Sequence, residues 1–261
     1  VPEGCKIVET NIFGYTDVTG NIDCHLYISE YIQGLATLKG GMPGPVLYNP
    51  TEQPVLDMTV ENQLACREAL LDKLKLPRNA ILLGRVGRPD NFDPISLMAF
   101  QSIEKEFDQA YYLVVNGDSG WTGKAQQLGL QNVRFLDPII DDEGLSNFYH
   151  GLDIYAHARH DGECCPCNIQ EAMMHGLTVV SHQSLIHNGQ AEIIENCGYV
   201  VPPGDYAAYA SVLRELIIQP GLRAKMGREA RRRAMHDFEA SVITHHLERA
   251  YDTLLSNERS N

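Results

Sequence analysis

Short, largely apolar runs, Val46–Tyr48, Ala80–Leu83, Tyr111–Val115, Val133–Phe135, Ile154–Ala156, Thr178–Ser181 and Tyr199–Val201, recur along this chain. Most are separated by helical patterns, among them Glu61–Leu74, Pro94–Phe107, Glu143–Tyr149 and Asn168–His175. A strand with no polar side must be covered on both faces, and an intervening helix is long enough to return the chain for parallel pairing. The pattern therefore predicts an α/β fold: a Rossmann-like, doubly wound parallel sheet of about six strands with helices on both faces. Ligands in such sheets sit outside the carboxyl ends of the strands. The loops there are Gly84–Asn91, Asn116–Gly120, Leu136–Asp142 and His157–Cys167.

The first fifty residues read differently. Lys6–Glu9 and Leu26–Ile28 are candidate strands, residues 11–17 a turn-rich connector, and residues 40–45 a Gly/Pro breaker cluster. The expected organisation is a remnant of a preceding domain plus linker over 1–50, a ligand-binding domain over 51–240 and a C-terminal helix over 241–261. The chain opens on Val1–Pro2 rather than Met, which suggests a fragment or a processed product.

Charge narrows the partners. With 21 Lys+Arg against 34 Asp+Glu the chain carries −13, which argues against nucleic acid or an anionic membrane as main partner. The bases Arg223, Lys225, Arg228 and Arg231–Arg233 accordingly read as a solvated helix face. There is neither an 18-residue apolar run nor a signal peptide. Seven cysteines, an odd number, with three inside 164–167, fit reduced thiols and a cytoplasmic location better than a disulfide framework. Cys164, Cys165 and Cys167 have no second, separated pair to complete a zinc site, so no metal is expected.

The chemistry concentrates in two places. Glu163 and Glu171 stand eight positions apart, the first in a Cys/Pro/Gly-rich turn and the second one turn into a helix that Gly176 ends. The loop between them feeds a helix N-terminus, where unpaired amides and the dipole favour an anion. Carboxylates flanking such a site suit hydroxyl groups rather than phosphate. Phosphate between two hydroxyl-rich groups describes a nucleotide-sugar. Gly84 and Arg85, with Gly87 and Arg88, follow the run Ala80–Leu83; glycine permits close backbone approach and arginine matches phosphate oxygens. Glu192 reads as an ordinary helix-start acid.

Taken in order, these residues resemble a family. Gly84–Arg85 after a strand, Val133–Leu136, Asp153–Ile154, Glu163 and Glu171 with Ala172, Met173, Met174 and Gly176, Ala191–Glu192, Gly198–Asp205, and Pro220, Leu222, Arg223 and Met226 look like the group 1 retaining glycosyltransferases, family 4. The match covers roughly residues 80–250. Residues 9–14, 23–29 and 48–50 are similar to the end of that family's acceptor domain and its crossover. The resemblance implies the GT-B fold, two Rossmann-like domains facing a cleft, with this chain supplying the donor-binding half.

By position, the resemblance puts Arg85 on the donor diphosphate, with Arg88 nearest to the family's second basic residue. It puts Glu163 on the hydroxyls of the transferred sugar, the amides near Cys165 and Cys167 on sugar and phosphate, Glu171 on the ribose, and the loop around Pro138 on the base. The implied reaction is metal-free transfer of a hexose to a glycan, lipid or small-molecule acceptor, with retention by front-face attack and the donor phosphate as base. A missing N-terminal acceptor domain is the implied partner. Two other readings fit the same residues: a nucleotide-sugar-binding module that never transfers, and a GT-B nucleotide-sugar epimerase.

Overall fold

The computed structural model describes residues 5–15, 20–91 and 93–256; Val1–Pro2 and the end of the 11–17 connector lie outside them. Six parallel strands form the main sheet: β3 (Ile81–Val86), β4 (Ala110–Val115), β5 (Val133–Leu136), β6 (Ile154–Ala156), β7 (Thr178–His182) and β8 (Gly198–Val201). Their order is β5-β4-β3-β6-β7-β8. The order reverses between β3 and β6, so a crevice opens at their carboxyl ends, the usual ligand position of a doubly wound sheet.

Neighbouring residues of one strand feed opposite cores. Leu82 joins Leu113, Tyr155 and Val179 under Ile169 and Met173, while Leu83 joins Tyr112, Val114 and Val180 under Phe100, Tyr209 and Leu213. The first core is covered by α2 (Val60–Leu74), α5 (Asp142–Gly151), α6 (Cys167–Met174) and α9 (Pro220–Asp237), the second by α3 (Ile95–Glu106), α4 (Ser119–Leu128) and α8 (Tyr206–Ile218). The helix α4 escapes a periodicity search because Gly120 and Gly123 dilute it. Its ends are nevertheless marked: Asp118 accepts from the amides of Gly120 and Trp121, and Gly129 closes it at φ +71°.

The N-terminal segment contributes a two-stranded parallel sheet, β1 (Val8–Asn11) and β2 (Cys24–Tyr27), and the helix α1 (Glu30–Leu38). Tyr27, Ile28, Ile32 and Ala36 belong to the first core rather than to a core of their own. The expected strand Val46–Tyr48 reduces to a single bridge between Val46 and Tyr27. Pro45 and Pro50 bracket that run, and proline cannot donate to a ladder.

The chain ends in α10 (Ala240–Ser256). Before it, Thr51 pairs with residues 238–240: its amide donates to the Phe238 carbonyl at 2.8 Å and its carbonyl accepts from Ala240 at 3.0 Å. The bases of α9 are not simply a solvated face. Arg223 reaches Asp153 at 3.3 Å, Arg231 donates to the Met174 carbonyl, and Arg233 bonds Glu195 and the Glu192 carbonyl. These side chains fasten α9 to the sheet and to α7 (Gly189–Ile194). Among the described residues no helix is long and apolar enough to cross a membrane.

Candidate functional site

Strand β3 runs three residues further than the apolar run suggests, so Gly84 and Arg85 lie inside it and not in the following loop. A Cβ at Gly84 would collide with the side chain of Leu152 just after α5, so packing alone already requires glycine there. Arg85 is 1 % exposed. Its Nε donates to the Ala158 carbonyl at 3.3 Å and its Nη2 to the Asn91 carbonyl at 3.2 Å. The guanidinium stacks on Trp121, 4.5 Å from the ring centroid. Its Nη1 is buried without a partner, and among the described residues no carboxylate pairs with it. Gly87 keeps the loop above the group open: a Cβ there would lie 2.9 Å from Nη2. Arg88, by contrast, is exposed and pairs with Asp90 at 3.4 Å.

The first turn of α6 meets the same strand end. Asn168 donates to the Val86 carbonyl at 3.0 Å. Pro166 precedes the helix and provides no side-chain cap, so the amides of the first turn stay open to a ligand. Cys165 is buried and Cys167 exposed. Burial pushes the Cys165 thiol up to about 12 and raises Cys164 and Cys167 as well. In the metal-free chain these groups are therefore held towards the protonated thiol.

Glu171 sits one turn along α6 and accepts from the Tyr149 hydroxyl at 2.9 Å. Burial raises its carboxyl above the usual range, partly offset by that hydrogen bond. It lines an open cleft of about 610 Å³ with Thr51, Ser146, Tyr149, Cys167 and His175. A second cavity of about 690 Å³ holds Pro138 with Leu136, Asp137 and Ile139. The stretch before α2 borders both, placing Val55 on the first and Leu56 on the second.

His175 closes the far end of α6. Its Nδ1 donates to the Glu171 carbonyl at 2.8 Å, and its Nε2 accepts from Ser146 at 3.0 Å. The Val55 amide donates to the same hydroxyl at 3.2 Å. Burial lowers the imidazole from 6.5 to about 4. Its folded pKa is depressed, so the unfolded chain takes up this proton first. Stability should thus be full above pH 6.5 and decline towards pH 4, by up to roughly 3 kcal/mol. Urea titrations at pH 7, 5.5 and 4 test this against His175→Gln, which should show a shallower decline; equal declines would remove His175 as the cause.

Glu163 is held rather than free. Its Oε1 lies 3.2 Å from His157 Nε2, and its Oε2 accepts from Arg159 at 3.0 Å. His157 is fixed from behind by Ser181 at 2.9 Å, and Arg159 by both oxygens of Asp161. The Arg159 guanidinium holds the Asp161 carboxyl below its ordinary value. The backbone is held too: the Glu163 amide donates to Gln190 Oε1 at 3.1 Å, and its carbonyl accepts from Gly189 at 2.7 Å.

Asn168 ties the start of α6 to the end of β3; Cys167 and Glu171 line the first cleft and Pro138 the second cavity, with Glu163 in the loop before α6 and Arg85 buried against Trp121. Arg88 remains at the exposed edge. Sequence reasoning missed His157, Arg159 and Tyr149. Only the position of His157 and Arg159, directly after β6, could have suggested them.

A doubly wound sheet with an uncapped helix and a buried arginine at its switch point is an α/β domain whose ligand position lies at the carboxyl ends of its strands. Residues 78–233, more than half of the chain, match the family Glycosyl transferases group 1, and the chain belongs to that family. Among curated proteins it is 28% identical over 192 residues to a phosphatidyl-myo-inositol mannosyltransferase of Mycobacterium leprae, covering 70% of this chain and 48% of that protein. The chain thus spans about half the length of that relative. Among solved structures it resembles Anabaena Alr3699/HepE in complex with UDP, at TM-score 0.77, 18% identity, and coverage of 95% of this chain and 72% of that one. It also resembles a glycosyltransferase from Rickettsia africae ESF-5, at TM-score 0.73, 20% identity, and coverage of 90% and 64%. These likenesses identify the sheet as one half of a GT-B fold.

Proposed function

We propose that this chain is the donor-binding portion of a retaining hexosyltransferase that uses a nucleotide-sugar and no metal. The observation that carries the reading is Arg85: a buried guanidinium with an unpartnered Nη1 and no carboxylate beside it among the described residues. A buried charge without its partner costs several kcal/mol, and a diphosphate would relieve that cost. The open amides at the start of α6 would share the anion, and Glu171 and the loop at Pro138 would take ribose and base. The UDP complex of HepE shows that a relative of this fold binds a nucleotide.

In the transfer step the bond from the sugar's C1 to the diphosphate oxygen breaks, its electron pair going to the leaving diphosphate. The acceptor hydroxyl bonds to C1 on the same face and gives its proton to a donor phosphate oxygen. Arg85 and the α6 amides would stabilise the charge on the leaving group. Glu163, held by His157 and Arg159, would orient the hexose through its remaining acceptor capacity. The acceptor, a glycan, lipid or small molecule, would come from a separate acceptor domain.

A thermal-shift screen of UDP, GDP, ADP and their sugars tests the reading. One nucleotide and its sugar should raise the melting temperature, since a ligand bound only by the folded state stabilises it by mass action. No shift with any of them at millimolar concentration would sink it. Glu163→Gln should leave nucleoside diphosphate binding intact and weaken the intact sugar donor; calorimetric titrations that change in parallel for the two ligands would remove Glu163 from the sugar site.

A further inference from the structure

The carbonyls of the loop that leads into α6 are held from two sides. Gly189 of α7 takes the Glu163 carbonyl at 2.7 Å. The next two are taken by the N-terminal segment: Ser29 donates to the Cys164 carbonyl at 2.9 Å, and Asn49 Nδ2 to the Cys165 carbonyl at 3.1 Å. Asn49 Nδ2 also lies 3.3 Å from Cys167 Sγ, at the first residue of the helix. The segment is itself seated on α7, because Glu192 accepts from the amides of Glu30 and Tyr31 at 2.8 and 2.7 Å and from the Tyr48 hydroxyl at 2.8 Å. Glu192, read from sequence as an ordinary helix-start acid, is thus the anchor between the two parts.

A peptide plane is rigid, so fixing a carbonyl also fixes the amide of the following residue. Holding the carbonyls of Cys164 and Cys165 fixes the Cys165 amide and the plane of Pro166, which has no N–H of its own, so it sets how the chain enters α6 and, through that entry, the aim of the helix's first amides. Pro166 adds no side-chain cap of its own, so the aim of those amides depends on residues outside the helix.

We propose that Asn49 is a positioning residue of the donor site: from the N-terminal segment it orients the loop and first turn of α6 that would meet the donor diphosphate. This rests on the donor-site reading above for its consequence, though not for the geometry. Asn49 is only partly buried, so its replacement should leave the fold intact.

Hydrogen–deuterium exchange on the ligand-free chain decides it. Asn49→Ala and the nearly isosteric Asn49→Asp, which lacks the donor, should raise exchange across residues 163–169 by about tenfold, as local opening predicts. Exchange in β7 and the melting temperature should stay at the parent's. Tyr31→Phe is the control: it removes a bond from the same interface, Tyr31 to the Ile186 carbonyl at 3.1 Å, and should leave residues 163–169 as in the parent. Unchanged exchange there in both Asn49 variants, or an equal rise in Tyr31→Phe, would overturn the proposal. Calorimetry with UDP, GDP and ADP then separates the two ideas. A parent that binds none of them defeats the donor-site reading while the exchange result still decides the positioning role. A parent that binds one should lose about tenfold in affinity on Asn49→Ala, and equal affinity would overturn the functional consequence.

Discussion

Arg85→Met is expected to lower affinity for a nucleoside diphosphate by about 100-fold or more, and to raise the melting temperature of the free chain. The two effects share one cause. Truncating one side of a buried charged pair costs roughly 2–5 kcal/mol in binding. In the free chain the same guanidinium is buried with Nη1 unpartnered, and an apolar side chain of similar length removes that penalty while still packing on Trp121. Affinity for the bare nucleoside should barely change. Calorimetry with diphosphate and nucleoside, beside a thermal melt, makes the test. An equal loss for both ligands, or a fall in melting temperature, would show that Arg85 is structural.

Glu171→Ala is expected to weaken nucleoside diphosphate and nucleotide-sugar alike by about 1.5–3 kcal/mol, the range for a hydrogen bond to a charged group. Equal binding of free nucleotide by variant and parent would remove Glu171 from the site. Its acidity gives an independent check. Burial raises this carboxyl in the folded chain, so the charged form opposes folding at neutral pH, and the penalty is relieved as pH falls through the raised value. Glu171→Gln should therefore melt above the parent at pH 7, with the gap closing on acidification. A constant gap would mean that the carboxylate carries no burial cost.

Much of this was legible in the sequence because it rests on local signals. Largely apolar runs between helical patterns pointed to the doubly wound sheet, and Gly176 marked the end of α6. What periodicity could not show was where a strand stops. Arg85 read as a loop residue because a charged side chain breaks an apolar run, yet Trp121 supplies a face on which that charge can be buried. The helix carrying Trp121 was itself hidden by two glycines. Nor could spacing reveal that the Glu163 carboxylate is held by His157 and Arg159, or that Glu192 caps a helix from the far end of the chain. The first two contacts lie within one loop whose shape spacing does not give, and the last joins residues that only the folded backbone brings together.

The short stretch from Asn49 to Val55 touches both ends of α6. Asn49 holds the loop before the helix, and Val55 bonds the Ser146 hydroxyl that in turn holds His175 behind it. An eight-residue helix is about 12 Å long, so it lies beneath this stretch like a rung under a yoke. The middle of the yoke, Thr51, is riveted to the place where the chain departs for α10. The loop before α6, the residue that closes its far end and the start of the terminal helix are thus all fastened to one stretch of seven residues.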